Sequence, residues 1–206
     1  GLASLGGALF CACGAIAAAQ GGATLPFSPG ERLEYTVRVS RVRATGRGAM
    51  TVEGPALVRG PSTWLLRSEF RAGMGPFKAS GHSESWLDPV RMAAFRFQKR
   101  EQHVLSRGEE AVELYPDERR WLSDDGTEGE SSTDEPLDEL SFMYFIRTLD
   151  LKSDSVLEFD RHYQADRNPV SVRVLGRDTL ATVLGSLPVI LVEMHVRDPK
   201  RYKDGT

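Results

Sequence analysis

Cysteine is nearly absent. Only two of the 206 residues are Cys, and both, Cys11 and Cys13, fall at the very start of the chain. Beyond them no disulfide, thiolate nucleophile or thiolate metal site can form, and an exported domain of this size can be stable without a bridge. Charge is missing from the first thirty residues, where Glu31 is the first charged side chain. A basic run interleaved with aromatics is also missing, and the net charge is −3, so nothing proposes nucleic acid as a partner. Charged residues at 27% and hydrophobic residues at 40% give an ordinary globular balance, which argues against disorder and against a multi-span membrane protein. The length suits one domain with a sizeable core.

The uncharged beginning, GLASLGGALFCACGAIAAAQGG, has the apolar stretch and small-residue site of a secretory leader, with cleavage expected after Ala19. Residues 1–19 are therefore read as a signal peptide incomplete at its start, 20–28 as a linker and 29–206 as a single β-rich domain. A weak membrane anchor and an outer-membrane lipoprotein attached through Cys13 are the competing readings; Phe10 and Cys11 fit a lipidation box poorly. The expected location is periplasmic. At the other end, Asp204-Gly205 is a hairpin signal without its second strand, so the domain is expected to be truncated there.

From Glu31 onward the pattern has period two. In ERLEYTVRVS, Leu33, Tyr35, Val37 and Val39 alternate with polar residues, as a half-buried strand requires. Short strands follow in GAMTVEG, ALVRG, STWLLRSEF and GHSESWL, with RAGMGPFKAS as a broken turn. Two longer strands, MAAFRFQKREQHVLS and EEAVELYPDERRWL, come next, and SDDGTEGESSTDE is read as a solvated loop. The last strands are expected in DSVLEFDRHY, NPVSVRVLGRDTLATV and LPVILVEMHVRD. About ten antiparallel strands with hairpin-length connections describe a mainly β domain, a curved antiparallel sheet or an open or closed barrel.

One segment breaks the pattern. PLDELSFMYFIRTLDL (136–151) predicts a helix over about 135–149, capped by Asp134, with Pro136 in its first turn and acidic residues at its positive end. It is apolar nearly all round, which predicts burial. Phe142, Tyr144 and Phe145, with Trp64 and Trp86, are therefore the candidates for core, ligand contact or a lid over a curved sheet. The second candidate cluster is polar: Asp160, Arg161, His162 and Arg167 in FDRHYQADRNPVSV, where a strand gives way to a turn; the plainer reading is an Asp–Arg pair with an Asx turn.

Other motifs carry less. His82 and Glu84 share a strand face, which could begin a metal site, although a surface histidine beside a carboxylate needs no metal. GHSES has Ser85 where a nucleophile elbow needs its second glycine. DDGTEGE lacks the order of a calcium loop. No phosphate loop, cofactor fingerprint, metal motif or catalytic motif is present, and the chain is read as a non-enzyme without a cofactor.

FSPGERLEYTV (27–37), ESWLDP (84–89), PLDELSFMYFIRTL (136–149) and FDRHYQADRNPVSVRVLGRDTL (159–180) together resemble the Domain of Unknown Function 3108 family. That resemblance implies an exported bacterial protein with a β-rich fold and no established activity; it carries over no catalytic residue. Three functions remain as expectations: an envelope protein binding a lipid or other apolar small molecule in its curved sheet, a structural or interaction domain with an envelope protein partner, and an envelope hydrolase if His82, Glu84, Asp160 and His162 converge. Oligomeric state is open.

Overall fold

The computed structural model describes residues 9–12, 25–39, 44–74, 77–102 and 106–197. The expected cleavage site after Ala19, Cys13, His103 and the terminal Asp204-Gly205 lie outside the described residues.

Eight strands follow one another as an antiparallel meander: β2 (Arg32–Val39), β3 (Ala44–Leu57), β4 (Ser62–Met74), β5 (Phe77–Asp88), β6 (Ala93–Gln102), β7 (Arg107–Tyr115), β8 (Arg120–Ser123) and β9 (Glu128–Glu130). Each strand pairs with the next, and β2 does not pair with β9, so this sheet is open. A second sheet runs β10 (Val156–Phe159), β11 (Val170–Thr182) and β12 (Gly185–His195), and β1 (Leu9–Ala12) lies antiparallel along the far edge of β12. The mainly β, curved antiparallel expectation is met in its open form.

Alternation decides which side of the large sheet faces inward. Leu33 and Tyr35, Met50 and Val52, Trp64 and Leu66, Ser85 and Leu87, and Phe97 form the inner rows. On β11, Val170, Val172 and Val174 are buried in the same core. The hairpin of β11 and β12 carries an apolar tip into solvent, where Val183 and Leu184 are exposed. Strand breaks differ from the sequence reading where the backbone bends within a polar-looking run. GAMTVEG and the first two residues of ALVRG, Ala56 and Leu57, form one long strand, β3, with an irregular register between Glu53 and Ala56. EEAVELYPDERRWL is divided by a 3-10 turn over Pro116–Glu118, closed by Arg119 in a left-handed conformation (φ 49°). The stretch read as a solvated loop contains β9, where Gly129 lies beneath the Trp121 ring.

The single α-helix among the described residues, α1 (Glu139–Ile146), starts later than the sequence predicts. Residues 136 and 137 are held in extended pairing: Ala94 N–H donates to Pro136 O at 2.8 Å, Leu137 N–H to Arg161 O at 2.7 Å, and Tyr163 N–H to Leu137 O at 3.0 Å. Asp138, not Asp134, is the N-cap. Eight residues are too few for a helix to hold itself in water, so tertiary burial maintains it. α1 packs on β4 and β5, and its aromatic residues share one core with both sheets.

Arg147 closes the helix and ties in the N-terminal segment. Its Nη1 and Nη2 donate to Glu31 Oε1 and Oε2 at 2.6 and 2.7 Å, Nη2 also donates to Pro26 O at 3.0 Å, and the guanidinium lies 5.3 Å from the Phe27 and Tyr144 rings. Removing one member of a buried pair strands the other's charge, so Arg147→Ala is expected to cost about 3–5 kcal/mol. Arg147→Lys should restore little, because one ammonium cannot reproduce the two-pronged contact. Urea denaturation of both variants checks this; a loss below about 1 kcal/mol in the alanine variant would contradict it.

Candidate functional site

The two sequence candidates, the aromatic helix and the polar turn, meet at the N-terminus of α1. The Asp138 carboxylate accepts the N–H groups of Leu140 and Ser141 at 2.8 and 2.9 Å, while Ser141 Oγ accepts the Asp138 N–H at 2.9 Å. This reciprocal box satisfies orphan donors of the first turn. Ser85 Oγ, from the inner face of β5, donates to the other carboxylate oxygen at 2.6 Å. Asp138 and Ser85 are both fully buried. Burial pushes the Asp138 carboxyl up to about 6, only partly opposed by the hydrogen bonds from Ser85, Ser141 and Leu140.

His162 pairs with Leu137 through an isolated parallel bridge. Its Nδ1 accepts the Gln164 N–H at 3.1 Å, which places the proton of the neutral ring on Nε2. The ring stacks on Tyr163 at 4.8 Å. Burial, with Arg167 adding to it, lowers the imidazole to about 4. The side chain of Asn168 completes the turn, accepting the His162 N–H at 2.9 Å and donating to His162 O at 3.1 Å. Tyr163 O–H donates to Glu110 at 2.7 Å, and burial raises the phenol above its ordinary value.

Arg161 is a clamp. Its Nε and Nη2 donate to the carbonyls of Glu135 and Met92 at 3.0 and 2.6 Å, and its guanidinium lies 4.6 Å from the Phe145 ring. Arg167 approaches Glu139 at 3.6 Å, and Lys99 donates to the same carboxylate at 2.9 Å. Burial alone would raise Glu139; Lys99 and Arg167 outweigh it and hold the carboxyl below its usual value. Asp160 is exposed and outside this group. The structure thus gathers Arg161, His162 and Arg167 around the helix start, and leaves Asp160 apart.

The aromatic candidates separate as well. Phe142, Tyr144 and Phe145 are buried, with Tyr144 4.9 Å from Phe27 and Phe145 5.2 Å from Phe159, both edge-on. Trp64 joins them beside Phe27 at 5.8 Å. Trp86 lies on the opposite face of the large sheet, packed on Val58, Ala93 and Phe95 beneath the Arg96 guanidinium. The four residues on which a hydrolase depended are also divided. His82 and Glu84 occupy the outer face of β5, whereas His162 is buried on the side to which Ser85 turns. Ser85 is bonded directly to Asp138, with no histidine between them, so the arrangement caps a helix and holds no Ser–His relay.

On the outer face His82 lies between two carboxylates, Nδ1 3.3 Å from Glu69 and Nε2 3.5 Å from Glu84, and Arg67 bridges Glu84 and Glu53. Among the described residues no group of three or more His, Cys, Asp or Glu side chains is placed to hold a metal. Beside His82 an open cleft of about 410 Å³ is lined by Arg71, Ser80, Arg100, Gln102 and Arg107, among others. A second open cleft of about 450 Å³ is lined by Glu109, Glu110, Trp121, Asp124 and Asp125, among others.

Residues 34–206 match the family described as "Protein of unknown function (DUF3108)". The chain belongs to the DUF3108 family. No curated protein and no solved structure matches it. The family resemblance read from the sequence therefore holds over most of the chain. Within this DUF3108 domain, sequence reasoning missed the Ser85–Asp138 pair, because only the fold brings residues 53 positions apart together. It also missed the outer-face arginines, which are scattered along the chain and line up only when the strands are in register. The one local signal was the D-x-x-S spacing of Asp138 and Ser141, a capping pattern with serine in the usual place of Glu or Gln.

Proposed function

We propose that this chain is an exported cell-envelope protein that acts without catalysis, binding amphipathic molecules of the envelope at the surface of its large sheet. The observation that carries this reading is the filled interior: Phe142 is 2% exposed and Tyr144 fully buried, in contact with both sheets. An apolar ligand enclosed between helix and sheet would have to displace close-packed core. At the helix start Asp138, Ser85 and Ser141 are occupied in capping and Arg161 in clamping. The buried His162 Nε2 has no hydrogen-bond partner among the described residues, and both clefts open to solvent. The uncharged, small-residue stretch before Gln20 supports export. An interaction domain with no small ligand is the second reading, favoured by the exposed Val183 and Leu184 at one hairpin tip.

Fusing residues 1–30 to a reporter enzyme that is active only outside the cytoplasm tests export. Activity is expected, and mass spectrometry of the full chain recovered from the envelope fraction should give an N-terminus at Gln20. An inactive fusion together with an uncleaved cytosolic protein would overturn the location.

A further inference from the structure

The large sheet keeps most of its charges paired. On the described outer surface Arg59 and Arg96 engage Glu113, Arg67 engages Glu53 and Glu84, Arg91 engages Asp117, and Arg120 engages Glu118. One corner departs from this. Arg47, Arg71, Lys78, Arg100 and Arg107 are all exposed, and none has an ion pair or side-chain hydrogen bond among the described residues.

Register brings them to one side. Arg47 stands opposite Arg71, Arg71 opposite Ser80, Ser80 opposite Gln102, and Gln102 opposite Arg107. Directly opposed residues project from the same face, so this row crosses five strands, β3 to β7, with a cation on three of them. In the next row Glu69, His82, Arg100 and Glu109 stand side by side, and two positions along β5 from Ser80 is Lys78. Five cations thus gather at this corner against three carboxylates that line the same cleft, Glu69, Glu101 and Glu109, the first beside His82 at 3.3 Å and the second engaged by Lys99 at 3.3 Å. Opposing two arginines, as β3 and β4 do, is unfavourable for the sheet by itself; a bound polyanion removes that cost.

The width of the array decides what it fits. Four strand intervals at about 4.8 Å spread the row over roughly 19 Å. A single phosphate cannot meet cations that far apart, whereas a plane of phosphate groups can. The exposed row carries no aromatic side chain on which a base could stack, as single-stranded nucleic acid would use. We infer that this corner of the outer face, Arg47, Arg71, Lys78, Arg100 and Arg107 around the His82 cleft, docks the protein on the phosphate headgroups of an anionic bilayer. The inference deepens the surface-binding reading above and does not depend on export.

The experiment is co-sedimentation of the full chain with phosphatidylcholine vesicles containing 30% phosphatidylglycerol, against pure phosphatidylcholine. The comparison is with the variant Arg71→Gln, Arg100→Gln, Arg107→Gln, whose exposed substitutions should leave the thermal transition in place. Each basic residue near an anionic surface contributes about a fivefold factor in partitioning, so the triple variant is expected to bind the anionic vesicles about a hundredfold more weakly. Binding of the unaltered protein should also fall as salt rises. The apolar N-terminal stretch is common to both proteins, so their difference isolates the patch. Equal binding by the two proteins, or equal binding to neutral vesicles, would overturn the inference. Tighter binding to a 20-base-pair DNA duplex than to the vesicles would do the same, reassigning the patch to nucleic acid.

Discussion

Phe142→Asp is expected to abolish the cooperative fold. Phe142 is 2% exposed and lies 5.6 Å from the Phe145 ring and 6.1 Å from Phe159. Truncating a buried phenylalanine costs about 3–5 kcal/mol through lost burial and the cavity left behind. The substitution also places a carboxylate within an apolar cluster, adding a penalty of several kcal/mol or protonating the group. The combined loss is comparable with the entire stability of an ordinary domain, about 5–15 kcal/mol. Near-ultraviolet circular dichroism and a thermal melt should show no transition, whereas Phe142→Leu, close in volume and still apolar, should melt cooperatively. If the aspartate variant kept a native melt and lost only lipid uptake, the helix would be a lid.

The second large effect concerns acid and base at the helix start. Asp138, raised by burial to about 6, favours the folded state when protonated. Its contribution is fully present below the ordinary carboxyl value near 4 and is lost as pH rises through about 6, a change of about 3 kcal/mol. His162, lowered by burial to about 4, behaves in the opposite sense. The folded state keeps it neutral, so its contribution is present above the ordinary imidazole value near 6.5 and is lost as pH falls through about 4, again about 3 kcal/mol. Over the same window the two slopes oppose each other and the unaltered protein should show little net dependence from the pair. Single variants should expose each slope. Asp138→Asn keeps an oxygen for the cap and removes the titration, leaving stability that declines toward acid. His162→Gln should leave stability that declines from pH 4 toward 6. Urea midpoints at pH 4, 5, 6 and 7 measure both; profiles parallel to that of the unaltered protein would refute the opposition.

What could be read from the sequence was what alternation and local chemistry encode. Val170, Val172 and Val174 alternate with polar neighbours in sequence and are buried in the structure. The helix segment is apolar on every side, and six of its eight residues are buried. The boundaries were less legible, because Pro136 and Leu137 have helix-compatible surroundings in sequence and are claimed by backbone pairing, Pro136 with Ala94 and Leu137 with residues 161 and 163. The polar turn was legible as a place and not as a role: nothing in FDRHYQ says that Arg161 will reach Met92 O, 69 positions away. The grouping of Trp64 with Trp86 failed for a simple geometric reason. Their spacing in sequence crosses a hairpin, and an odd offset in strand register turns two tryptophans to opposite faces.

The clasp between Arg147 and Glu31 joins residues 116 positions apart, while every pairing from β2 to β9 joins neighbours along the chain. In kinetic terms the large sheet can zip hairpin by hairpin at low loop-closure cost, and the helix, too short to form alone, must wait for it. The clasp then closes late. Its loss should shorten the lifetime of the folded protein far more than it slows folding, so the hold of residues 25–31 on the helix sets how long the domain stays shut.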